Sequence, residues 1–241
     1  MSELRGKNAL ITGGGRGIGR AIALAFCEKG CNVAVTARST DEIESVAQEI
    51  CSIGPKGICI KADVSNEQEA KNTVLKVQEE LGSIDIFVNN AGVFICKPFT
   101  ELTMDDWDRT MSVNLRGAFI WARQVAKVMM KQKSGIIINM CSSASRKAYV
   151  DQMAYVASKH GLLGLSRCLN LELKPYGIKV HAICPGGVDT RLTADARPDA
   201  DRSEWMQPKD IAHVAVMLAT QSNRASIDEI YIRRYDATPI Y

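Results

Sequence analysis

Asn8-Ala-Leu-Ile-Thr-Gly-Gly-Gly-Arg-Gly-Ile-Gly-Arg20 decides the fold. Its apolar run, Ala9 to Ile11, reads as a buried strand. A glycine-rich turn follows, and Ala21-Ile-Ala-Leu-Ala-Phe-Cys-Glu-Lys29 reads as a helix closed by Gly30. Strand, glycine loop and helix in that order form a phosphate cradle. Glycine lets the backbone approach a pyrophosphate, and the helix N-terminus presents free N–H groups and a partial positive charge. The spacing is not G-x-G-x-x-G, because position 18 is Ile. It is T-G-x-x-x-G-x-G, built from Thr12, Gly13, Gly17 and Gly19.

Outward from this segment, strands and helices alternate. Strands are predicted over 32–36, 57–61, 84–88, 135–140, 178–183 and 227–232. Helices are predicted over 41–51, 66–81, 105–131 (one long helix, open to a bend), 153–174 and 208–220. Short apolar strands between helices predict an α/β fold: a single doubly wound (Rossmann-type) parallel sheet with helices on both faces. Connections are short and no linker or repeat interrupts them, so 1–241 reads as one dinucleotide-binding and catalytic domain, with a short substrate lid around 191–207. Ligands on such sheets bind beyond the carboxyl ends of the strands. The unusual polar residues fall there: Thr12-Gly13, Arg38-Ser39, Asp63, Asn89-Asn90, Ser142-Ser143 and Pro185 to Thr190.

Composition narrows the function classes. The 241 residues are 46% hydrophobic and 24% charged, normal for a globular protein. No apolar run reaches the roughly 20 residues of a membrane span. The formal charge of +3 is small and dispersed, which argues against nucleic acid and anionic membranes as partners. The polar segment Met1-Ser-Glu-Leu-Arg-Gly-Lys7 runs straight into the first strand, an expectation against a signal peptide. Eight cysteines form no C-x-x-C pair and there are only three histidines, so no metal site is expected. The cysteines read as free thiols in a reducing, cytoplasmic setting.

Tyr155 and Lys159 lie four residues apart in an apolar, helix-prone stretch, so a helix carries both on one face. A phenol titrates near 10, and a neighbouring ammonium favours its phenolate. The expectation is that Lys159 lowers the Tyr155 pKa and makes it a proton donor and acceptor.

With these residues in view, the chain resembles the short-chain dehydrogenase/reductase family from about residue 5 to 220. The resemblance rests on Thr12-Gly13-x-x-x-Gly17-x-Gly19, Asn89-Asn90-Ala91-Gly92, Asn114 in Ser112-Val-Asn-Leu-Arg-Gly117, Ser142, Tyr155-x-x-x-Lys159 and Pro185-Gly186. It implies an NAD(P)-dependent oxidoreductase acting on a carbonyl or secondary-alcohol small molecule. Tyr155 would exchange a proton with the substrate oxygen, and Ser142 would donate to the same oxygen. Lys159 would also bind the nicotinamide ribose, and Asn114 would hold a water on a proton path. Ser143 competes for the serine role; the family's serine lies thirteen residues before the tyrosine, which selects Ser142. Cofactor contacts would come from Gly13, Gly15, Arg16, Gly17, Ile18 and Gly19, from Asp63 and Val64, from Asn90, Ala91 and Gly92, and from Pro185, Gly186, Val188 and Thr190.

Cofactor choice follows charge. The place where NAD binders carry an acid reads Val35-Thr36-Ala37-Arg38-Ser39. Arg38, helped by Ser39 and by Arg16, suits a 2′-phosphate, so NADP(H) is favoured over NAD(H). A substrate lining of Phe94, Ser143, Ala144, Val150, Gln152, Gly187, Leu192 and Trp205 is expected to be mostly apolar, and a small dicarboxylate is not expected. The tail Tyr235-Asp-Ala-Thr-Pro-Ile-Tyr241 departs from the family's usual ending. That leaves the helices around 105–131 and 153–174 as the expected surface of a homodimer or homotetramer. Two alternatives stand beside this reading. One is a 3-oxoacyl-[acyl-carrier-protein] reductase, with Lys127, Lys131, Lys133, Arg146 and Lys147 forming a basic patch beside the site. The other is a non-catalytic nucleotide-sensing protein on the same fold.

Overall fold

In the computed structural model, which describes residues 3–222 and 224–238, seven parallel strands pair in the order β3-β2-β1-β4-β5-β6-β7. They are β1 (Asn8–Thr12), β2 (Asn32–Ala37), β3 (Gly57–Lys61), β4 (Ile86–Asn89), β5 (Gly135–Met140), β6 (Ile178–Pro185) and β7 (Glu229–Ile232). The helices are α1 (Gly17–Glu28), α2 (Thr40–Ile53), α3 (Glu67–Leu81), α4 (Met104–Met111), α5 (Ala118–Gln132), α6 (Met153–Leu173), α7 (Arg191–Ala196) and α8 (Pro208–Ala219). Strand order reverses between β1 and its neighbours β2 and β4, the point at which a parallel sheet opens a crevice beyond its carboxyl ends. The ends of the chain at 1–2 and 239–241 lie outside the described residues, and with them the last three residues of the tail discussed above.

Alternation along β1 shows how the sequence divides between two cores. Ala9 and Ile11 pack with Ile22, Phe26, Val46 and Ile211, from α1, α2 and α8, on one face. Leu10 packs on the other face, with Val74, Val77, Trp121 and Val125 from α3 and α5. There Phe87 and Trp121 stack at 6.4 Å between ring centroids. Helices covering both faces explain why the strands read as continuous apolar runs.

Several boundaries differ from the sequence reading, most by one or two residues. The long helix 105–131 is interrupted: α4 and α5 are joined by a π-helical turn, Ser112–Gly117. Gly117 explains part of this, since a Cβ there would lie 2.9 Å from the Val64 carbonyl oxygen. β6 runs on to Pro185, and β7 begins at Glu229 rather than at 227. The segment expected as a lid folds into α7, capped by Thr190, and an irregular stretch tied back to the strand ends. Met206 N donates to the Gly187 carbonyl (3.2 Å), Asp189 N to the Met206 carbonyl (2.8 Å), and Arg202 pairs with Asp189 at 3.0 Å.

Candidate active site

Thr12, at the end of β1, organises the crevice. Its hydroxyl oxygen accepts from the backbone N–H groups of Asn90 (3.0 Å) and Ala91 (3.1 Å). Asn90 answers with its amide, donating to the carbonyls of Thr12 (2.9 Å) and Gly13 (3.2 Å). The loops after β1 and β4 are thereby sewn together. Gly19 sits under the seam, where a Cβ would lie 2.2 Å from the Gly13 carbonyl oxygen and 2.6 Å from Asn90 Nδ2. A second buried chain braces β4: Asn89 donates to the Ala118 carbonyl (2.9 Å) and to Asn139 Oδ1 (3.1 Å), and Asn139 donates to Ser166 on α6 (2.9 Å).

One cleft then gathers Gly13, Gly15, Arg16, Gly17, Ile18, Arg38, Ser39, Asp63, Val64, Asn90, Ala91, Gly92 and Thr190. Gly19 lies beneath it; Val188, expected to face the cofactor, is buried and bridged to Met206 and lines neither this cleft nor the adjoining one. The start of α1 has no side-chain cap and no acidic residue in its first turn, so its N–H groups are left for a ligand in the cleft. With a glycine floor and cations alongside, the residues fit a dinucleotide. Asp63 adds an acceptor at the far end. Burial pushes its carboxyl up, but donors from Ser65 (2.7 and 2.9 Å) and the Arg38 charge outweigh that and hold it below the usual range.

Sequence reasoning missed Glu42 in this cleft. It stands on the first turn of α2, and its carboxylate pairs with Arg16 at 3.2 Å and reaches Arg191 at 4.0 Å. Arg16 therefore answers to an acid of its own. Among the described residues Arg38 has no carboxylate ion pair.

The adjoining cleft, of about 560 Å³, holds the chemistry. Ser142 and Tyr155 line it together with Phe94, Ser143, Ala144, Gln152, Gly186, Gly187 and Trp205. Leu192, expected here, lines the nucleotide cleft instead, because α7 turns that face toward Thr190. Val150 is 83% exposed and lines neither cleft. Tyr155 packs against Phe94 at 4.5 Å between ring centroids. Ser142 accepts from Ala144 N (3.1 Å) and stands beside the Tyr155 phenol, whose pKa it lowers, whereas Ser143 is taken by Tyr149 (2.8 Å). Asn114, in the π turn, accepts from Val93 N (2.8 Å) and donates to Val93 O (2.9 Å) and to Ser158 (3.1 Å). Its amide thereby ties the Val93 loop to Ser158 on α6.

Lys159 is buried, and Nζ donates to the Met140 carbonyl at 2.8 Å, 5.7 Å from the Tyr155 ring centroid. The expected lowering of the Tyr155 pKa is not what the structure shows. Burial dominates and pushes the phenol up to about 12, the Ser142 hydrogen bond pulls it down, and the Cys141 and Tyr149 side chains push it up further. Burial also lowers Lys159, against the opposing pull of Cys141 and Cys184.

The lining is less apolar than expected. Lys147, Arg197, Arg233 and Arg234 border the cleft with Asp201 and Asp236, and the C-terminal tail from Tyr231 onward forms one wall. Arg233 fastens that wall by donating to the carbonyls of Arg234 (2.9 Å), Tyr235 (2.8 Å) and Ala237 (2.6 Å). The only sequence signal was the unexplained Arg233-Arg234 after the last strand. The basic patch expected beside the site gathers only in part, with Lys147 bordering the cleft. Arg146 is paired with Glu229, and Lys133 follows α5 at the opposite, amino-terminal edge of the sheet, where it lines a separate depression with Lys7 and Lys174.

Comparison with known proteins agrees with this geometry. A family model described as short chain dehydrogenase matches residues 7–201. A short-chain dehydrogenase/reductase of Armillaria gallica is 44% identical over 194 residues, covering 79% of this chain and 74% of the relative. An uncharacterized oxidoreductase of Staphylococcus aureus is 32% identical over 233 residues, covering 97% and 99%. Among solved structures, levodione reductase superposes with a TM-score of 0.88 at 29% identity, covering 97% of each chain. A metagenomic short-chain oxidoreductase in complex with NADP gives 0.85 at 33%, covering 97% of this chain and 99% of that one. The chain belongs to the short-chain dehydrogenase/reductase family, whose members bind a nicotinamide cofactor and act as oxidoreductases on small molecules.

Proposed function

We propose that the protein is an NADP(H)-dependent oxidoreductase acting on a carbonyl/secondary-alcohol pair, as a carbonyl reductase or alcohol dehydrogenase. One observation carries the reading: Ser142 and Tyr155 line the same cleft, which opens beside the nucleotide site, with Lys159 buried behind them. When bound, the nicotinamide supplies or accepts the hydride. The chain's own residues do the rest. Tyr155, protonated at neutral pH, gives its proton to the substrate oxygen as the carbonyl is reduced, and takes it back in the reverse direction. Ser142 donates to the same oxygen and steadies the charge that develops there. Lys159 would hold the nicotinamide ribose and stands behind Tyr155 as its proton relay, and Asn114 keeps the Val93 loop in place. Gly92 is the wall between them, since a Cβ there would lie 3.3 Å from Asn114 Oδ1 and 3.9 Å from Lys159 Nζ.

The preference for NADP(H) rests on Arg38, a cation without a carboxylate ion pair among the described residues at the end of β2. The complex of a similar structure with NADP is consistent with that choice. Assembly as a homodimer or homotetramer through α5 and α6 is supported by an apolar depression lined by Met111, Leu115, Phe119 and Leu165, with Phe119 48% exposed. A cytoplasmic site of action fits the eight cysteines, all unpaired. The carrier-protein alternative is less favoured because, of its expected patch, Arg146 is paired with Glu229 and Lys133 lies at the far edge of the sheet, and an intact Ser142 and Tyr155 have no use in a nucleotide sensor. The test is a screen of NADPH oxidation against ketones, aldehydes and acyl thioesters. Turnover of at least one carbonyl class that is lost in Tyr155→Phe is the expected result. NADPH binding with no oxidation across the panel would overturn the enzymatic reading.

A further inference from the structure

Four cations and two carboxylates border the substrate cleft, and the surplus is positive. Arg234 has Asp236 at 3.5 Å. Among the described residues Lys147, Arg197 and Arg233 have no carboxylate ion pair. Two of them are held over aromatic faces: Lys147 Nζ lies 4.8 Å from the Tyr149 ring centroid, and Arg197 Cζ lies 6.0 Å from that of Trp205. Those platforms set the positions of the charges without neutralising them. The cofactor does not account for the surplus, because the nucleotide cleft carries its own cations, Arg16, Arg38 and Arg191. The substrate cleft therefore carries a positive surplus of its own, with a proton donor in its lining.

We propose that the physiological substrate is a carboxylate-bearing carbonyl compound, an oxo acid or the corresponding hydroxy acid, whose carboxylate is received by Arg197 and Lys147 while its carbonyl meets Tyr155 and Ser142. The proposal rests on the reaction class given above and names the substrate's charge. Arg197 lies just past α7, on the segment tied to Gly187 through Met206, and Lys147 lies five residues after Ser142. The two cations thus come from the two loops that border the reacting oxygen. The aromatic side chains of Phe94, Tyr149 and Trp205 between them suit an apolar body linking carbonyl and carboxylate.

The experiment compares matched pairs on the intact enzyme with NADPH: an aryl-substituted oxo acid and its methyl ester, which share the carbonyl and differ in charge. The acid is expected to show at least a tenfold higher kcat/KM at low ionic strength, with the gap narrowing as salt is added. In Arg197→Met and in Lys147→Met the loss on the acid should exceed the loss on the ester by at least fivefold, mostly through KM. A second measurement does not depend on turnover. Calorimetric titration with phenylacetate against phenylacetamide, in the presence of NADP, should show the carboxylate binding at least tenfold tighter in the parent and no tighter in the double variant. Equal use of ester and acid, or equal binding of carboxylate and amide, overturns the proposal. Carboxylate binding without reduction of any carbonyl would keep it and remove the reaction class instead.

Discussion

Replacing Tyr155 by Phe removes one oxygen and leaves the packing that holds the ring. The contact with Phe94 at 4.5 Å between centroids is made by carbon, and the backbone carbonyl of residue 155 still accepts from Ser158 at 2.8 Å. Ser142 keeps its bond from Ala144 N at 3.1 Å, so its hydroxyl is not orphaned. The stability cost is at most that of one neutral hydrogen bond, about 0.5–1.5 kcal/mol. The catalytic cost is larger. General acid catalysis contributes about 10²–10⁴-fold, which is about 2.7–5.5 kcal/mol of barrier. Because the phenol is pushed up to about 12, it is protonated in all but about one molecule in 10⁵ at pH 7. Reduction should therefore be flat with pH through neutrality, whereas alcohol oxidation, which needs the phenolate, should rise about tenfold per pH unit as the pH climbs toward that value.

The assay is the initial rate of NADPH oxidation at saturating substrate, repeated in single turnover so that cofactor release does not mask the chemical step. Thermal unfolding of both proteins is measured alongside. The expected result is a variant with a nearly unchanged melting temperature, unchanged NADPH affinity and kcat down by at least a hundredfold. A kcat within threefold of the parent, with folding intact, would refute the assignment of Tyr155 as proton donor.

Three further outcomes follow from other parts of the structure. NADPH should bind at least tenfold tighter than NADH, Arg38→Asp should reverse the order, and Glu42→Gln should release Arg16 and tighten NADPH by no more than about fivefold, since the pair is partly exposed; calorimetry with both cofactors checks all three. Gly19→Ala should cripple nucleotide binding, read by NADPH titration, while circular dichroism shows the fold retained, because its methyl group would press on the Gly13 carbonyl from 2.2 Å and part the loops that Asn90 joins. His181 is buried on β6 with Nδ1–H donating to the Ile227 carbonyl at 2.6 Å, and burial lowers its pKa from 6.5. The unfolded chain therefore takes up a proton that the folded one refuses, so stability is full above pH 6.5 and falls below it, by at most about 1.4 kcal/mol per pH unit, until the folded value is reached. Urea titrations from pH 7.5 to 5 should show that slope in the parent and its absence in His181→Phe.

The parallel sheet was legible because strands covered on both faces leave plain apolar runs, and the nucleotide loop because its glycines are forced by close approaches that no side chain survives. The π turn was not. Counting apolar periodicity from 105 to 131 tolerates one extra residue in a turn, and the causes of the turn, Val64 at Gly117 and Val93 at Asn114, lie 21 to 53 positions away. Glu42 was hidden for a similar reason. Its distance from Arg16 depends on the angle at which α2 leaves β2, which no local pattern encodes. The charge of the substrate cleft was misjudged because the tail after β7 was read only as a departure from the family's ending, and because the lid at 191–207 was expected to offer Trp205 rather than the charge of Arg197.

Tyr155 and Lys159 mark the limit of a spacing argument most sharply. Four residues on a helix place two side chains on one face, but not the ends of those side chains. Lys159 is long enough to reach the Met140 carbonyl, and a buried ammonium must find such an acceptor or become neutral. Once Nζ is held there, the phenol's surroundings are set by its own burial and by Ser142, and its pKa rises where the helical spacing alone predicts a fall. The same placement decides what Lys159 can do. A group whose pKa is itself lowered by burial, standing next to a phenol that has just lost its proton, is placed to stabilise the resulting phenolate and to return a proton to it, but not to ionise it beforehand. The pH dependence of oxidation separates the two roles: a steep rise continuing above pH 9 in the parent fits stabilisation after transfer, and a plateau near neutrality fits prior ionisation and would contradict this account.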